Sequence, residues 1–157
     1  MNTLIIYDTT FGNTAQLARA MADTLQAHSI VRIVRVDEAN SLELKETDLL
    51  IMGGPTQRHR LSLALRTFLD RFPRRSLPGL SAAAFDTRYH MSAWKSGSAA
   101  HEIASRLKRT GASLIVPPES FFVVEREGPL EEGELERASR WALEVFEQCE
   151  ARRSLRT

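Results

Sequence analysis

The sequence has almost no cysteine: Cys149 is the single one among 157 residues. One thiol per chain cannot form an internal disulfide, a Cys-x-x-Cys redox pair or a cysteine-based metal site. We therefore expect any redox chemistry to come from a bound cofactor. Cys149 itself falls on the apolar side of a predicted C-terminal helix, where a thiol acts as a small hydrophobic group.

Long apolar runs are also missing. The chain begins Met1-Asn2-Thr3 and enters a short apolar run at residues 4–7. That run is too short for the apolar part of a signal peptide or for a membrane helix, and no basic segment precedes it. We therefore expect a cytoplasmic protein that does not insert into membranes.

Neither sign of charge dominates, since 21 Lys and Arg residues stand against 20 Asp and Glu residues, for a net charge of +1. A chain with this balance lacks the strongly basic character of a nucleic-acid-binding protein. Basic residues do crowd residues 58–75, and a short basic tail begins at about residue 151. The length predicts a single domain over residues 1–157.

Short apolar runs alternate with longer segments of helical period, as is typical of a parallel sheet covered by helices. Arg32 and Arg35 interrupt the second run, which predicts an edge strand. A break at Pro117-Pro118, followed by more apolar residues, predicts a split or extended fifth strand. The pattern predicts strands at residues 4–7, 31–36, 49–53, 82–85 and 114–116, and helices at 14–27, 61–72, 98–109 and from about 133.

The first and last predicted helices each carry one apolar face. We expect both faces to pack on the sheet. They consist of Leu17, Met21 and Leu25 in the first helix, and of Leu135, Ala138, Ala142, Val145 and Cys149 in the last.

The loop at residues 8–14 joins the first strand to the first helix and concentrates hydroxyls, an amide and a glycine. A helix N-terminus carries roughly half a positive charge and several unpaired N–H groups, so the loop predicts a phosphate site. Thr9, Thr10 and Thr14 offer hydroxyl donors, and Gly12 permits close approach of the backbone. The loop contains neither G-x-x-x-x-G-K-[ST] nor G-x-G-x-x-G, which disfavours ATP and dinucleotide sites.

Residues 9–14 resemble the phosphate-binding motif of the flavodoxin family, hydroxyl-x-x-Gly-Asn-Thr. Residues 53–56 resemble that family's second flavin loop, and residues 86–100 lie where its third loop runs into a helix. The resemblance covers about residues 2–147. It implies FMN as cofactor and an α/β three-layer sandwich, with a five-stranded parallel sheet in the order 2-1-3-4-5 and helices on both faces.

By this resemblance the first loop holds the FMN phosphate, and the other two loops enclose the flavin ring, with Tyr89 or Trp94 stacking on it. No catalytic or metal-binding residue is predicted. The predicted cofactor contacts are Thr9, Thr10, Phe11, Gly12, Asn13, Thr14, Pro55, Thr56, Gln57, Arg58, His59, Asp86, Thr87, Arg88, Tyr89 and Trp94.

The resemblance favours electron transfer through the bound flavin, with Gly53-Gly54 as a mobile peptide near the ring. The partner is then a redox protein or a small-molecule electron donor or acceptor, and the chain a monomer by default, with a dimer as the alternative. A second hypothesis is an FMN-dependent reductase that passes a hydride from NADH or NADPH to a quinone or similar small acceptor. A third is a non-redox scaffold of the same fold.

The predicted second loop departs from the family's acidic character, because it carries Arg58, His59 and Arg60. A cation near the flavin favours the anionic reduced ring. By the Coulomb reasoning that lowers a carboxylate pKa beside arginine, it raises the reduction potential of the flavin. The sequence thus predicts FMN binding but not the strongly reducing flavin of acidic family members.

Overall fold

The computed structural model describes residues 1–157, apart from the side chain of Ala93. Strands and helices alternate along the chain, as predicted. The strands are β1 (Asn2–Tyr7), β2 (Ile30–Arg35), β3 (Leu49–Pro55), β4 (Ser81–Tyr89), β5 (Ser113–Leu114) and β6 (Glu119–Val123). The α-helices are α1 (Asn13–Leu25), α2 (Leu63–Asp70), α3 (Ala93–Ser96), α4 (Ala99–Arg109) and α5 (Glu134–Ser154), and two 3-10 helices lie between β2 and β3 at Val36–Glu38 and Ser41–Glu46.

All strand pairs of the sheet are parallel, and the strand order is β2-β1-β3-β4-β5. The short strand β5 pairs only with Ser81 and Ala82 of β4, whereas β6 pairs with the other end of β4, from Phe85 to Tyr89. Two short strands therefore share the fifth position, with Pro117-Pro118 between them. This confirms both the predicted order and the predicted split.

The sheet is buried on both faces by helices. Leu4 and Ile6 of β1 belong to an apolar cluster with α2 and α4, while Ile5 belongs to the opposite cluster, with α1 and α5. Successive side chains of a strand point to opposite faces, so a continuously apolar strand requires helices on both sides. The predicted three-layer sandwich is confirmed.

Strand β2 lies at the sheet edge, and both Arg32 and Arg35 are exposed there, as predicted. Because the helices cover only part of this edge strand, its polar side chains stay in contact with water. No helix in the described part of the chain is both long and apolar enough to cross a membrane.

The prediction that Leu135 packs on the sheet is wrong, since its side chain is 39% exposed. In the first turn of α5 it is the neighbouring Glu134 that turns inward, where its carboxylate accepts a hydrogen bond from the N–H of Phe122 at 2.8 Å. The buried stripe of α5 then continues through Ala138 and Trp141. Residues 151–154, predicted as the start of a basic tail, form the last turn of this helix.

Candidate functional site

A cavity of about 900 Å³ opens at the carboxyl ends of the central strands. The loops that follow β1, β3 and β4 line it together, which is where ligands bind in open parallel sheets. Most of the predicted cofactor contacts meet there. The predicted residues that line the cavity are Thr9, Thr10, Phe11, Asn13, Thr14, Pro55, Thr56, Gln57, Arg58, His59, Thr87, Arg88 and Tyr89.

Three predicted contacts lie outside the cavity lining: Gly12, Asp86 and Trp94. Gly12 shapes the loop, and Asp86 is fully buried below the cavity floor. Trp94 points into solvent with 87% of its side chain exposed, whereas Tyr89 is 39% exposed and does line the cavity. Of the two predicted stacking residues, the structure brings only Tyr89 to the site.

The first loop presents a free helix N-terminus. Gly12 precedes α1 with a φ of 92°, in the left-handed region that glycine adopts without strain. Its N–H donates to Thr9 Oγ1 at 3.0 Å, and its carbonyl accepts the first hydrogen bond of the helix, from Gln16. The N–H groups of residues 13–15 therefore have no carbonyl partner within the helix, and no acidic side chain occupies the first turn.

Hydroxyl and amide groups join this loop to its neighbours. Thr14 Oγ1 and Thr87 Oγ1 lie 3.0 Å apart within the cavity wall, and Gln57 Nε2 donates to Thr10 Oγ1 at 2.5 Å. The Asn13 side-chain amide donates to the carbonyl of Glu127 at 3.1 Å, in the loop that follows β6. These hydrogen bonds thus hold four segments together: the first loop, β4, and the loops that follow β3 and β6.

The second loop contains a tight turn in a strained conformation. Gln57 and Arg60 exchange two backbone hydrogen bonds of 2.8 Å, and the residues between them, Arg58 and His59, have positive φ values of 48° and 69°. Such a conformation costs on the order of 1–3 kcal/mol for each non-glycine residue. The turn is braced by Gly97, where an added Cβ would lie 2.4 Å from the carbonyl oxygen of His59.

The preceding glycines do not belong to a mobile loop. Gly53 and Gly54 are buried within β3 and pair with Phe85 and Asp86 of β4. A Cβ on Gly53 would come within 2.3 Å of the Phe85 ring, and one on Gly54 within 2.4 Å of Leu65 Cδ1. Close packing of the sheet thus requires glycine at both positions, and neither residue lines the cavity.

Asp86 lies outside the cavity lining and fixes residues that border the cavity. Its Oδ2 accepts hydrogen bonds from Ser98 Oγ at 2.6 Å, the N–H of Ala100 at 3.0 Å and Thr56 Oγ1 at 3.3 Å. The Thr56 hydroxyl in turn accepts from the N–H of Ala99 at 2.9 Å. The carboxylate therefore fixes the second loop against the N-terminus of α4, where negative charge is favourable.

Arg88 is the cation held most firmly in the cavity wall, with its side chain 12% exposed. Its Nε donates to Ser120 Oγ at 2.8 Å and its Nη1 to Ser96 Oγ at 3.0 Å. The guanidinium carbon lies 5.2 Å from the centre of the Phe122 ring, and Nε is 3.9 Å from Asp86 Oδ1. These contacts fix the guanidinium beside the buried carboxylate of Asp86, which offsets part of its positive charge.

The cavity lining also contains residues that the sequence did not single out as contacts. The crowding of basic residues at 58–75 pointed towards two of them, Arg60 and Arg66, but nothing local indicated those that come from residues 91–126. No Asp or Glu lines the cavity. The additional lining residues are Arg60, Leu61, Arg66, Met91, Lys95, Ser96, Val123 and Arg126.

Comparison with known proteins gives a consistent result. The flavodoxin family model matches residues 5–141. A flavodoxin from Aquifex aeolicus (strain VF5) is 35% identical over 69 residues, which are 43% of this chain and 37% of that relative. The chain therefore matches little more than a third of that relative's length.

Solved structures share the fold at low sequence identity. A flavodoxin from the domain Archaea superposes with a TM-score of 0.79 at 20% identity, covering 96% of this chain and 99% of that one. Oxidised flavodoxin 1 from Bacillus cereus gives 0.78 at 19% identity, covering 94% and 98%. Rubredoxin oxygen:oxidoreductase from Desulfovibrio gigas gives 0.75 at 17% identity, and there the match covers 96% of this chain but 36% of the larger protein.

The family model spans most of the chain, and the strand order and the position of the cavity agree with it. The chain belongs to the flavodoxin family, and its cofactor is FMN.

Proposed function

We propose that this protein is an electron carrier in which the cavity at the carboxyl ends of β1, β3 and β4 holds FMN. One observation supports the proposal above all: a free helix N-terminus, three loops and six cationic side chains surround one cavity that no carboxylate lines. Bound FMN supplies the capacity to take up and release electrons. The chain supplies binding, orientation and the electrostatic field.

The phosphate end of FMN fits the first loop. The N–H groups of residues 13–15 point out of the helix end, and Thr9, Thr10 and Thr14 place hydroxyls around them. A phosphate monoester carries a charge of about −1.5 to −2 at neutral pH, which suits a helix N-terminus with no acid in its first turn. The left-handed Gly12 leaves open space where a side chain would begin.

The ring end of FMN fits the space between the second and third loops. Pro55 and the strained Arg58-His59 turn border one side, and Tyr89 borders the other. Offset stacking on an aromatic side chain is a favourable way to bury a flat heterocycle. Tyr89 is thus our candidate for the stacking residue, and Trp94 is not.

The cations of the cavity set the redox character that we propose. Arg58, Arg60 and Arg88 stabilise negative charge on a reduced ring and so raise its reduction potential. Potentiometry of the FMN-bound protein tests this directly. Arg58→Gln is expected to lower the potential, while Arg74→Gln, an exposed arginine on the loop before β4 at the opposite end of the strands, leaves it unchanged. An unchanged potential in Arg58→Gln would contradict the electrostatic assignment.

A second candidate function is an FMN-dependent reductase, because the positive charge in the cavity exceeds what one phosphate neutralises. The surplus suits an anionic nicotinamide donor. Anaerobic stopped-flow mixing of the FMN-bound protein with NADH and with NADPH separates the two functions. Bleaching of the flavin absorbance by either donor on the timescale of seconds supports the reductase, and reduction by dithionite alone supports the carrier.

We also propose that residues 1–157 act as a single domain and as a monomer. The two apolar clusters of the core are each closed by helices of the same chain. Analytical ultracentrifugation of the FMN-bound protein tests this, with a single species of about 17.7 kDa expected. A stable dimer would favour the reductase function, whose site such enzymes build between subunits.

A further inference from the structure

We propose that the mouth of the cavity is a docking surface for an acidic redox protein, which exchanges one electron with the flavin. The surface consists of Arg58, Arg60, Lys95 and Arg126 together with Trp94. The inference rests on the proposed electron-carrier function and names the partner's chemistry.

The first observation is a concentration of unpaired positive charge. Arg58, Arg60, Lys95 and Arg126 are exposed, line the cavity, and take part in none of the ion pairs of the described residues. Together with Arg66 they carry more positive charge around the cavity than the roughly two charges that an FMN phosphate neutralises. The whole chain carries a net charge of only +1, so this positive field is local.

The second observation is an exposed tryptophan beside those cations. Trp94 is 87% exposed and precedes Lys95 in the short helix α3. Two more apolar side chains are partly exposed in the cavity lining, Phe11 at 46% and Met91 at 42%. Tryptophan and arginine are the residues most enriched among those that dominate protein–protein binding. A cationic ring around exposed apolar groups fits an acidic protein surface.

A protein fits this surface better than a small anion does. The four cations come from three separate segments, those that follow β3, β4 and β6, and all four line the cavity. Trp94 lies outside the cavity lining, so an anion held inside the cavity has no use for it. Glu125 and Glu127 flank Arg126 in sequence and are exposed, but neither lines the cavity.

Electron transfer to two soluble haem proteins of opposite charge tests the proposal. The FMN-bound protein, reduced with dithionite, is mixed anaerobically with the acidic haem domain of cytochrome b5 or with basic cytochrome c. In each case one electron leaves the reduced flavin and converts one ferric haem to ferrous haem. We expect the rate with cytochrome b5 to fall about tenfold or more from low to high ionic strength, and the rate with cytochrome c to stay flat or rise. The opposite dependence would overturn the proposal.

Matched variants distinguish an effect of the docking surface from an effect of the overall charge of the protein. Lys95→Gln combined with Arg126→Gln, which avoids the arginines assigned to the flavin potential, is expected to slow transfer to cytochrome b5 several-fold, and Arg74→Gln to leave it unchanged. Trp94→Ala is expected to slow the same reaction, with Ile30→Ala, another largely exposed apolar residue at the opposite end of the strands, as its control. Calorimetric titration of the oxidised protein with oxidised cytochrome b5, in which no electron moves, should show the same weakening of affinity.

Ferricyanide, a small anionic acceptor, distinguishes the remaining outcomes. If Trp94→Ala leaves the reduction of both ferricyanide and cytochrome b5 unchanged, the cations serve a small anion and the docking surface is wrong. If Trp94→Ala slows only cytochrome b5, the docking surface is supported. A protein that binds no FMN would refute the proposed function itself, and that failure is visible before any acceptor is added.

Discussion

Thr14 and Thr87 lie 73 residues apart in sequence, yet their hydroxyl oxygens are 3.0 Å apart in the cavity wall. A hydroxyl has one hydrogen to donate, so one of the two donates to the other and its partner keeps a free O–H. Both residues line the cavity, next to the N-terminus of α1, so the remaining donor is available at its wall. The pair therefore couples the first loop to the end of β4 and still offers a hydrogen bond to a phosphate.

Replacing Thr14 with valine tests this role. The substitution keeps the side-chain shape and removes the hydroxyl, and a hydrogen bond to a charged group contributes about 1.5–3 kcal/mol. We expect the Kd for FMN to rise by one to two orders of magnitude. Thr24→Val, in the same helix but away from the cavity, serves as the control. Equal affinities of the two variants, measured by flavin fluorescence, would remove Thr14 from the site.

Two glycine substitutions are expected to act by different mechanisms. Gly12→Ala meets no atom within 4 Å but must adopt a φ of 92°, which costs about 1–2 kcal/mol. Gly53→Ala has an ordinary φ but places its Cβ 2.3 Å from the Phe85 ring, and overpacking of this kind costs about 1–3 kcal/mol or more.

Urea unfolding and FMN titration together distinguish the two glycines. Gly12→Ala should weaken FMN binding, because the glycine shapes the phosphate loop, while Gly53→Ala should lower the free energy of unfolding of the FMN-free protein. A stable Gly53→Ala variant would indicate that the sheet at β3 and β4 yields more easily than its packing implies.

Asp86→Asn probes the buried carboxylate. The amide oxygen can take the place of Oδ2 and accept from Ser98, Thr56 and Ala100, but it carries no charge, and the amide nitrogen then replaces Oδ1 beside the Arg88 guanidinium. Hydrogen bonds to a charged acceptor contribute more than those to a neutral one, so we expect the free energy of unfolding to fall by about 1–3 kcal/mol, with a weaker FMN affinity because Thr56 is held less firmly. Asp23→Asn, an exposed carboxylate on α1, should change neither quantity.

We expect the buried carboxylate of Glu134 to contribute to stability in a way that depends on pH. Burial alone would raise the pKa of its carboxyl, but the Arg137 guanidinium and the N–H of Phe122 together hold that pKa below its usual value. A lowered folded-state pKa means that the stabilisation is present above the unfolded pKa of about 4.3, and is lost as pH falls through the folded pKa. Glu134→Gln should therefore be less stable than the natural protein near neutral pH.

The stability difference between Glu134→Gln and the natural protein should shrink in acid. Urea unfolding at several values between about pH 7 and pH 3.5 measures it. Glu136→Gln, an exposed residue in the same helical turn, is the matched control and should show no such dependence. A difference that stays constant with pH would show that Glu134 acts through packing and not through its charge.

The layers could be predicted because they depend on local patterns, whereas the strand order was implied by the resemblance to the flavodoxin family. Leu17, Met21 and Leu25 repeat at helical spacing, and the apolar strands between helices admit few arrangements. The prediction failed at Leu135, where the side chain that turns inward is polar. Glu134 is buried there because Arg137 and the backbone of β6 satisfy its carboxylate, and both partners come from the folded structure.

The site residues also fall into two groups: those that a local motif predicts and those that folding brings in from distant parts of the chain. Residues 9–14 are contiguous and carry a recognisable motif, so a phosphate site could be predicted from them. Arg126 and Lys95 reach the cavity only because β6 and α3 are folded against β4. Trp94 had the expected residue type in the expected loop, yet its side chain points to solvent, because loop composition does not determine side-chain direction.

The most direct test of the account is a titration of the flavin-free protein with FMN, followed by the fluorescence of the flavin and by the melting temperature. The account predicts quenched fluorescence at a stoichiometry of one FMN per chain. It also predicts a raised melting temperature, since a ligand at a hundred times its Kd adds about 2.7 kcal/mol of stability. Weakened binding in Thr14→Val with normal binding in Trp94→Ala would place the cofactor in the cavity described. Unquenched fluorescence and an unchanged melting temperature at saturating FMN would contradict the central claim.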